Sequence, residues 1–583
     1  MAHHAPTGVM VVADAWLPPD PHCRVHGAAE RVAQLYLAHG SDAFERLEGE
    51  FAIALWDPRT RCLLLLRDGF GCRPLYYRLW PDGRLAFSSL IAPLIGFEEA
   101  APGVNPDWIA DYLTRSESDP EITPYLGVSR LPPGHLLTWH AGRLFTRRVF
   151  YFDPPDPLDW SAARIQDAFA AHLERAVRDR LTPGIQSFGA ELSGGLDSSA
   201  VVSIAAAGLP VGTLSSPLRT YCHGLSPQER GTVWPFEDET AHAALVANHL
   251  GLTETHHIVP SQGHSFLDHA DRIQAVHGGP LVDGFACHSD PVLRQAQADG
   301  VGVMLSGQGG DQYASAPCGM VIGEYAQSRA WRALWRECRA AGQARAPGAH
   351  EASWRTFLRA SLRAEFGALY GWLRPRADHV PFGQEVLASL TVPQSFYQEM
   401  DLAGRVDRAS QQGRFRSVAA QQASWVGQAP FSLRLESSWV AGFVHGVTYR
   451  YPLLDLALVR FVLSIPVQHR VFRGQGRLLM HRFLQKRLPA SIAWRRDKAQ
   501  TALPGVAARM RRAMPVLRQR LEEIQSGPLA ASYIDFAALF AQMARLGEGE
   551  TALDQPVDRA ALINLQRVVM LGLFLQQQEK RGP

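Results

Sequence analysis

Ser193-Gly194-Gly195-Leu196-Asp197-Ser198-Ser199 follows an apolar run, Phe188 to Leu192, and leads into Ser198 to Ala207, a stretch of small and apolar residues. That order predicts strand, glycine turn and helix. Two adjacent glycines let the backbone fold close around an anion. The helix start adds unpaired N–H groups and the positive end of the helix dipole. The hydroxyls of Ser193, Ser198 and Ser199 supply further donors. No Gly-Lys-Ser/Thr follows, so the loop is not of the Walker type. A bare Ser-Gly-Gly would mark an ordinary β-to-α turn; the full SGGxDSS between strand and helix says more.

Downstream the alternation continues. Arg219 to His223 predicts a second strand, the Thr240 to Leu250 region a helix ending at Gly251, and His256 to Val259 a third strand. Val301 to Leu305 predicts a fourth, running into Ser306-Gly307-Gln308-Gly309-Gly310-Asp311. Strand–helix repetition of this kind implies a parallel sheet that takes ligands at the carboxyl ends of its strands. The remainder, to Pro583, reads as mainly helical.

Upstream, the first 150 residues read as β-rich. Val9 to Val12, Phe51 to Trp56, Cys62 to Arg67, Leu75 to Leu79, Leu85 to Ser88 and Leu136 to Trp139 are short apolar runs separated by turn residues. Tyr151-Phe-Asp-Pro-Pro-Asp-Pro157 reads as a linker. Ile165, Phe169, Leu173 and Val177 then recur every four residues, with Asp159 or Ser161 available as helix cap.

Composition narrows the class. The chain has 583 residues, 46% hydrophobic and 20% charged, as in ordinary globular proteins of more than one domain. A formal charge of +2 gives no reason to expect nucleic acid. No apolar run approaches a membrane span, and no signal segment opens the chain. Seven scattered cysteines without a CxxC pair indicate neither zinc nor a disulfide framework, and fit a cytoplasmic location. Lysine is scarce: Lys486, Lys498 and Lys580 stand among 58 basic residues.

The chain resembles the asparagine synthetase superfamily over most of its length. The residues that carry the resemblance are Phe51-Ala-Ile-Ala-Leu-Trp-Asp57, Arg67-Asp68 with GFGCRPLYY at 69–77, SGGLDSS at 193–199, SGQGGD at 306–311, Arg450-Tyr-Pro-Leu-Leu-Asp455, and Leu488-Pro-Ala-Ser-Ile-Ala-Trp-Arg495 with Lys498. The implied fold is α/β. A degenerate glutaminase-like (Ntn-type) β-rich sandwich spans 1–155. An adenine-nucleotide α-hydrolase-like (PP-loop) synthetase domain spans 156–583, with a parallel sheet and a helical C-terminal part. SGGLDSS is similar to the pyrophosphate loop of enzymes that cleave ATP between its α and β phosphates.

The departures are informative. Glutamine-dependent members expose an N-terminal Cys after Met removal, whereas here the second residue is Ala2. The family's Asn-Gly-Glu-Ile-Tyr-Asn motif is unrecognisable, and Cys23 and Cys72 are not at a terminus. The N-terminal domain is therefore expected to be a structural or partner-docking module. Asparagine synthetases carry Glu where this chain has Gln308 and Gln312, and an acidic residue where it has Thr448. ATP machinery kept beside altered acceptor positions suggests another acyl acceptor, as in the β-lactam synthetases and lasso peptide cyclases of this superfamily; a degenerate glutaminase and a long segment between Asp311 and Arg450 look most like a lasso peptide cyclase. Such an enzyme adenylates an Asp or Glu side chain of a precursor peptide and lets the peptide's N-terminal amine attack it. Alternatives are an ammonia-dependent asparagine synthetase or a β-lactam synthetase-like cyclase of a small molecule. A non-catalytic scaffold is disfavoured by the retained aspartates and Lys498, and a tRNA-thiolating relative by the lack of paired cysteines. The expected partners are the precursor peptide, with a leader-peptide protease and a recognition protein as possible companions; neither nucleic acid nor membrane is expected.

The resemblance also assigns roles. Ser193, Gly194, Gly195, Ser198 and Ser199 are expected to cradle the pyrophosphate of ATP, with Leu192 under the nucleotide. Ser306 and Gly307 resemble residues that contact the AMP portion. Asp197 and Asp311, at the ends of two predicted strands, could both reach a Mg²⁺ that bridges the phosphates; alternatively each caps a helix or turn. Lys498 matches a family lysine that neutralises charge as the amine attacks and AMP leaves. Its alternative is a surface residue beside Arg495 and Arg496, against which stands the scarcity of lysine. His256-His257 is expected to be structural, since adjacent strand residues face opposite sides. Trp354, Phe357, Leu358, Leu362, Phe366 and Leu369 fit one helix face and Arg355, Arg359 and Arg363 another. That pattern reads as a core stripe with a solvated back, or as a docking surface.

Overall fold

The computed structural model describes residues 1–583 except 5, 20–26, 98–101, 117–118, 182–186, 209–216, 226–237, 261–266, 283–288, 317–320, 346–349, 366–380, 412–416, 427, 496–505, 548–555 and 582–583. The N-terminal part contributes strands β1 (Ala2–His4), β2 (Val9–Trp16), β3 (Glu50–Asp57), β4 (Cys62–Arg67), β5 (Tyr76–Leu79), β6 (Leu85–Ser88), β7 (Val128–Arg130), β8 (His135–His140) and β9 (Arg143–Arg148). They form an antiparallel sheet ordered β1-β2-β3-β4-β8-β9 and a second ordered β6-β5-β7. The unbroken apolar run of β3 follows from burial on both faces. Phe51, Ile53 and Leu55 enter the main core, while Ala52 and Ala54 join Leu65, Leu75, Leu131 and Leu137 between the two sheets. β9 was not legible because its sequence, Arg-Leu-Phe-Thr-Arg-Arg, carries the charge typical of an exposed edge strand.

The second sheet system is parallel. β10 (Phe188–Glu191), β11 (Arg219–Gly224), β12 (His256–Pro260), β13 (Val303–Leu305) and β14 (Thr448–Arg450) line up as β12-β11-β10-β13-β14. From β10 the chain adds strands first on one side and then on the other. The reversal falls between β10 and β13, and a crevice opens at such a point beyond the carboxyl ends of the strands. His256 and His257 do face different neighbours: His256 Nδ1 lies 2.9 Å from Thr220 Oγ1, while His257 stacks on Tyr221. Helices fill most of the remainder, and among the described residues none is long and apolar enough to cross a membrane. The helix Ala162–Asp179 is capped by Ser161, whose Oγ accepts from the Arg164 N–H, and its stripe Ile165, Phe169, Leu173 and Val177 is buried.

One expectation needs correction. In the helix His350–Glu365, Trp354, Leu358 and Leu362 are about half exposed, not core. Phe357 packs on a small satellite core, and the rings of Phe357 and Trp354 both lie against Trp335, at 5.5 and 4.8 Å between centroids. Spacing predicts that apolar residues share a face but not that the face meets a partner. Phe366 and Leu369 lie outside the described residues.

The two parts are joined by buried charge. Glu436, in the helix Ala429–Val444, lies 3.0 Å from Arg130 and 3.4 Å from Arg67 and accepts from the Tyr76 hydroxyl. Glu50 pairs with Arg180 at 3.0 Å and accepts from the Tyr451 N–H at 2.9 Å. Asp14 accepts from the Trp439 indole. Ionised groups remain in such a seam because each is matched; an unmatched one would cost several kcal/mol.

His277 sits against this seam, its ring 5.7 Å from that of Tyr76. Burial depresses its pKa to about 4; Arg130 adds to the effect and Glu436 opposes it. A depressed pKa means the folded protein holds His277 neutral while the unfolded chain takes up a proton near pH 6.5. Stability is therefore lost as pH falls from about 6.5 through 4, by on the order of 3 kcal/mol when complete. Urea unfolding of the parent and His277→Gln should show parent stability falling more steeply over that interval. Parallel pH dependences in the two proteins would count against this account.

Candidate active site

The loop after β10 is organised by its own hydroxyls. Leu192 prolongs the pairing with β11, its N–H donating to the Tyr221 carbonyl at 2.8 Å. The Ser193 N–H donates to Ser198 Oγ at 3.2 Å, and the Gly195 N–H donates to Ser193 Oγ at 3.3 Å. The Ser199 N–H then donates to the Gly195 carbonyl at 3.0 Å, starting the helix Leu196–Gly208. Gly194 has φ +71°, and a Cβ there would stand 2.5 Å from the Cβ of His242. Both the backbone conformation and the close approach require glycine. Ser199 Oγ is buried and has no hydrogen-bond partner among the described residues. An orphaned hydroxyl in the first turn of a helix suits an incoming anion.

The loop after β13 closes on the first. The Ser306 N–H donates to the Arg450 carbonyl at 3.0 Å, tying the loop to the end of β14. A Cβ on Gly307 would lie 2.8 Å from the Ser198 nitrogen, and a Cβ on Gly310 would overlap the Asp197 carboxylate. These two glycines let the 306–311 segment lie directly on the start of the helix Leu196–Gly208. The structure thus brings together Leu192, Ser193, Gly194, Gly195, Asp197, Ser198, Ser199, Ser306, Gly307 and Asp311 at the switch point of the sheet. Lys498 lies outside the described residues. Arg495, just before it, is held 3.5 Å from Glu239 at the start of the helix Thr240–His249, whose His242 packs on Gly194.

Several members of the site carried no motif. Arg477, with φ +60°, sits just before the helix Leu478–Leu484 and lies 3.1 Å from Asp311 Oδ1. Glu191, the last residue of β10, accepts from Ser306 Oγ at 2.7 Å and from the Tyr449 hydroxyl at 3.0 Å. Burial raises its pKa, while the two hydroxyls and the charge of Arg434 oppose that rise. An acid closing an otherwise apolar strand was a visible signal for Glu191; Arg477 had none, since its partner is 166 positions away by residue number.

Asp197 and Asp311, with a buried hydroxyl and a helix N-terminus beside them, offer the hard oxygen chemistry that would suit a divalent cation such as Mg²⁺. That ion commonly takes one or two protein carboxylates and completes its shell with phosphate and water oxygens. In the N-terminal part, Cys72 is buried and its thiol is pushed well above its ordinary pKa by burial and by Asp68 and Glu50. Such a thiol is a poor nucleophile. Cys23 lies outside the described residues.

Comparison with known proteins adds a family context. Residues 168–567 match the family described as Asparagine synthase, and residues 17–151 match the Glutamine amidotransferase domain. Amidase chyE of Penicillium rubens is 28% identical over 298 residues, covering 49% of this chain and 42% of its own. Amidase chry2 of Gibberella zeae is 25% identical over 295 residues, with coverage of 49% and 42%. Asparagine synthetase (glutamine-hydrolyzing) 2 of Oryza sativa subsp. japonica is 28% identical over 300 residues, with coverage of 48% and 42%. The chain thus spans less than half the length of each of these relatives.

Proposed function

The chain belongs to the asparagine synthase family, and from that premise we propose that it is an ATP-dependent, amide-forming enzyme that closes a macrolactam in a lasso peptide precursor. The observation that carries the reading is the contact of the two loops, with Gly310 against the Asp197 carboxylate and Gly307 against the Ser198 nitrogen. It brings the two loops together, which supports reading them as one site where ATP activates a carboxylate. In the first step an Asp or Glu side-chain oxygen of the peptide bonds to the α-phosphorus, and pyrophosphate leaves. In the second the peptide's N-terminal amine bonds to the acyl carbon, AMP leaves with the former carboxylate oxygen, and the amine gives up a proton.

Ser193, Gly194, Gly195, Ser198 and Ser199 receive the departing pyrophosphate in this reading, Leu192 lies beneath the nucleotide, and Ser306 and Gly307 meet its AMP portion. Asp197 and Asp311 would hold Mg²⁺, which when bound neutralises phosphate charge. Lys498 stabilises the oxyanion as AMP leaves. The choice of a peptide amine rests on Gln308, Gln312 and Thr448 standing where asparagine synthetases are acidic, and on a Cys72 thiol unsuited to releasing ammonia. In the cell the reading implies a cytoplasmic enzyme working with a precursor peptide, a leader-peptide protease and a recognition protein, its N-terminal domain (1–155) serving structure or docking.

The test is incubation of the purified protein with ATP, Mg²⁺ and a leader-bearing peptide containing an internal Asp or Glu. The expected result is AMP together with a peptide lighter by one water, and loss of both with Lys498→Ala. Asparagine formed from aspartate and ammonia would instead support the synthetase alternative, and closure of a small β-amino acid the β-lactam synthetase-like one.

A further inference from the structure

Glu191 closes β10 immediately before the nucleotide loop, and its side chain reaches across β13 to β14. One carboxylate oxygen takes the Ser306 hydroxyl at 2.7 Å; the other takes the Tyr449 hydroxyl at 3.0 Å. Ser306 in turn accepts the Gln308 N–H at 3.3 Å, so the first turn of the 306–311 loop hangs from the same carboxylate. β10 and β13 are in register at Ala190 and Leu305, and β13 and β14 at Met304 and Tyr449. Glu191 therefore spans three strand ends at the level where the crevice opens. A strand end gives the backbone direction of a loop but leaves a serine hydroxyl free to rotate. A carboxylate accepting two hydroxyls removes that freedom for Ser306 and fixes the far strand with the same group.

We propose that Glu191 is a positioning residue of the nucleotide site, holding Ser306 and the loop behind it in the orientation that receives the AMP portion of ATP. The proposal rests on the assignment of Ser306 to the nucleotide. Tyr449 anchors the other end of the carboxylate and is itself backed by Tyr451, the two rings lying 6.0 Å apart and nearly parallel. Among the described residues, the charged group bearing on Glu191 from a neighbouring element is Arg434.

The experiment measures equilibrium binding of α,β-methylene ATP with Mg²⁺ by calorimetry, using the full chain and no peptide. Glu191→Leu keeps the bulk and removes both acceptors; it should weaken binding about tenfold or more. Glu191→Gln, which keeps an acceptor and the shape, should restore binding to within about threefold of the parent. Ser306→Ala and the double variant Glu191→Leu/Ser306→Ala should bind equally, because the carboxylate acts through that hydroxyl. Binding by Glu191→Leu within twofold of a nucleotide-binding parent would overturn the proposal, as would additive losses in the double variant. A parent that binds no nucleotide would instead overturn the functional reading on which it rests.

Discussion

Asp197→Asn is expected to lower ATP–pyrophosphate exchange by roughly 10³-fold, the scale of removing a preorganised group from a developing phosphate charge. The exchange reports adenylation alone, so the result does not depend on how the amide is later formed. Asn has the shape of Asp, and the contact with Gly310 remains possible, so the melting temperature should stay close to that of the parent. Asp197 occupies the first turn of its helix, where a carboxylate also gains from the helix dipole, by about 0.3–1 kcal/mol at most sites. That contribution is too small to confuse with the catalytic loss. Near-parental exchange in Asp197→Asn would remove it from the metal set and leave it a helix-terminal residue.

Glu436→Ala should be the most destabilising single change at the seam between the two parts. The substitution leaves Arg67 and Arg130, both nearly fully buried, without their shared carboxylate. Breaking a buried pair by removing one partner costs about 3–5 kcal/mol, most of it the desolvation of the charge left behind. Because the same carboxylate also receives the Tyr76 hydroxyl, the upper end of that range is expected. Urea denaturation followed by tryptophan fluorescence gives the number, and Glu436→Gln, which keeps hydrogen-bond acceptors, should lose less. A loss below about 1 kcal/mol, the size of an exposed pair, would show that the seam is solvated in solution.

The parts of this molecule legible in the sequence are those whose signals are local. β10, the SGGLDSS turn and the helix after it are consecutive, and each residue's preference agrees with its neighbours'. β3 and β4 could be read from their apolar runs. β14 could not: a three-residue strand has too short a pattern, and its place beside β13 depends on a partner more than a hundred residues upstream. The same holds within the site. The glycines at 194 and 195 announced a turn, whereas the reason Gly310 must be glycine, the Asp197 carboxylate, belongs to another strand's loop. Arg477 and Tyr449 matter through tertiary pairings that no periodicity encodes. The stripe Trp354, Leu358 and Leu362 shows the converse, a correct helical face whose burial the pattern could not supply.

The seam also sets an order of events during synthesis. Arg130 and its carboxylate partner are 306 positions apart, and Arg67 stands 369 positions before the same residue. At roughly 5–20 residues per second, a ribosome needs on the order of tens of seconds to cover that interval. Until then Arg67 and Arg130 have only water and local carbonyls to satisfy them, and the surface they will occupy cannot be buried. The N-terminal part therefore waits, incompletely packed, for a helix that emerges long after it. A nascent chain halted before residue 436 presents proteases and chaperones with a half that has no finished interior wall.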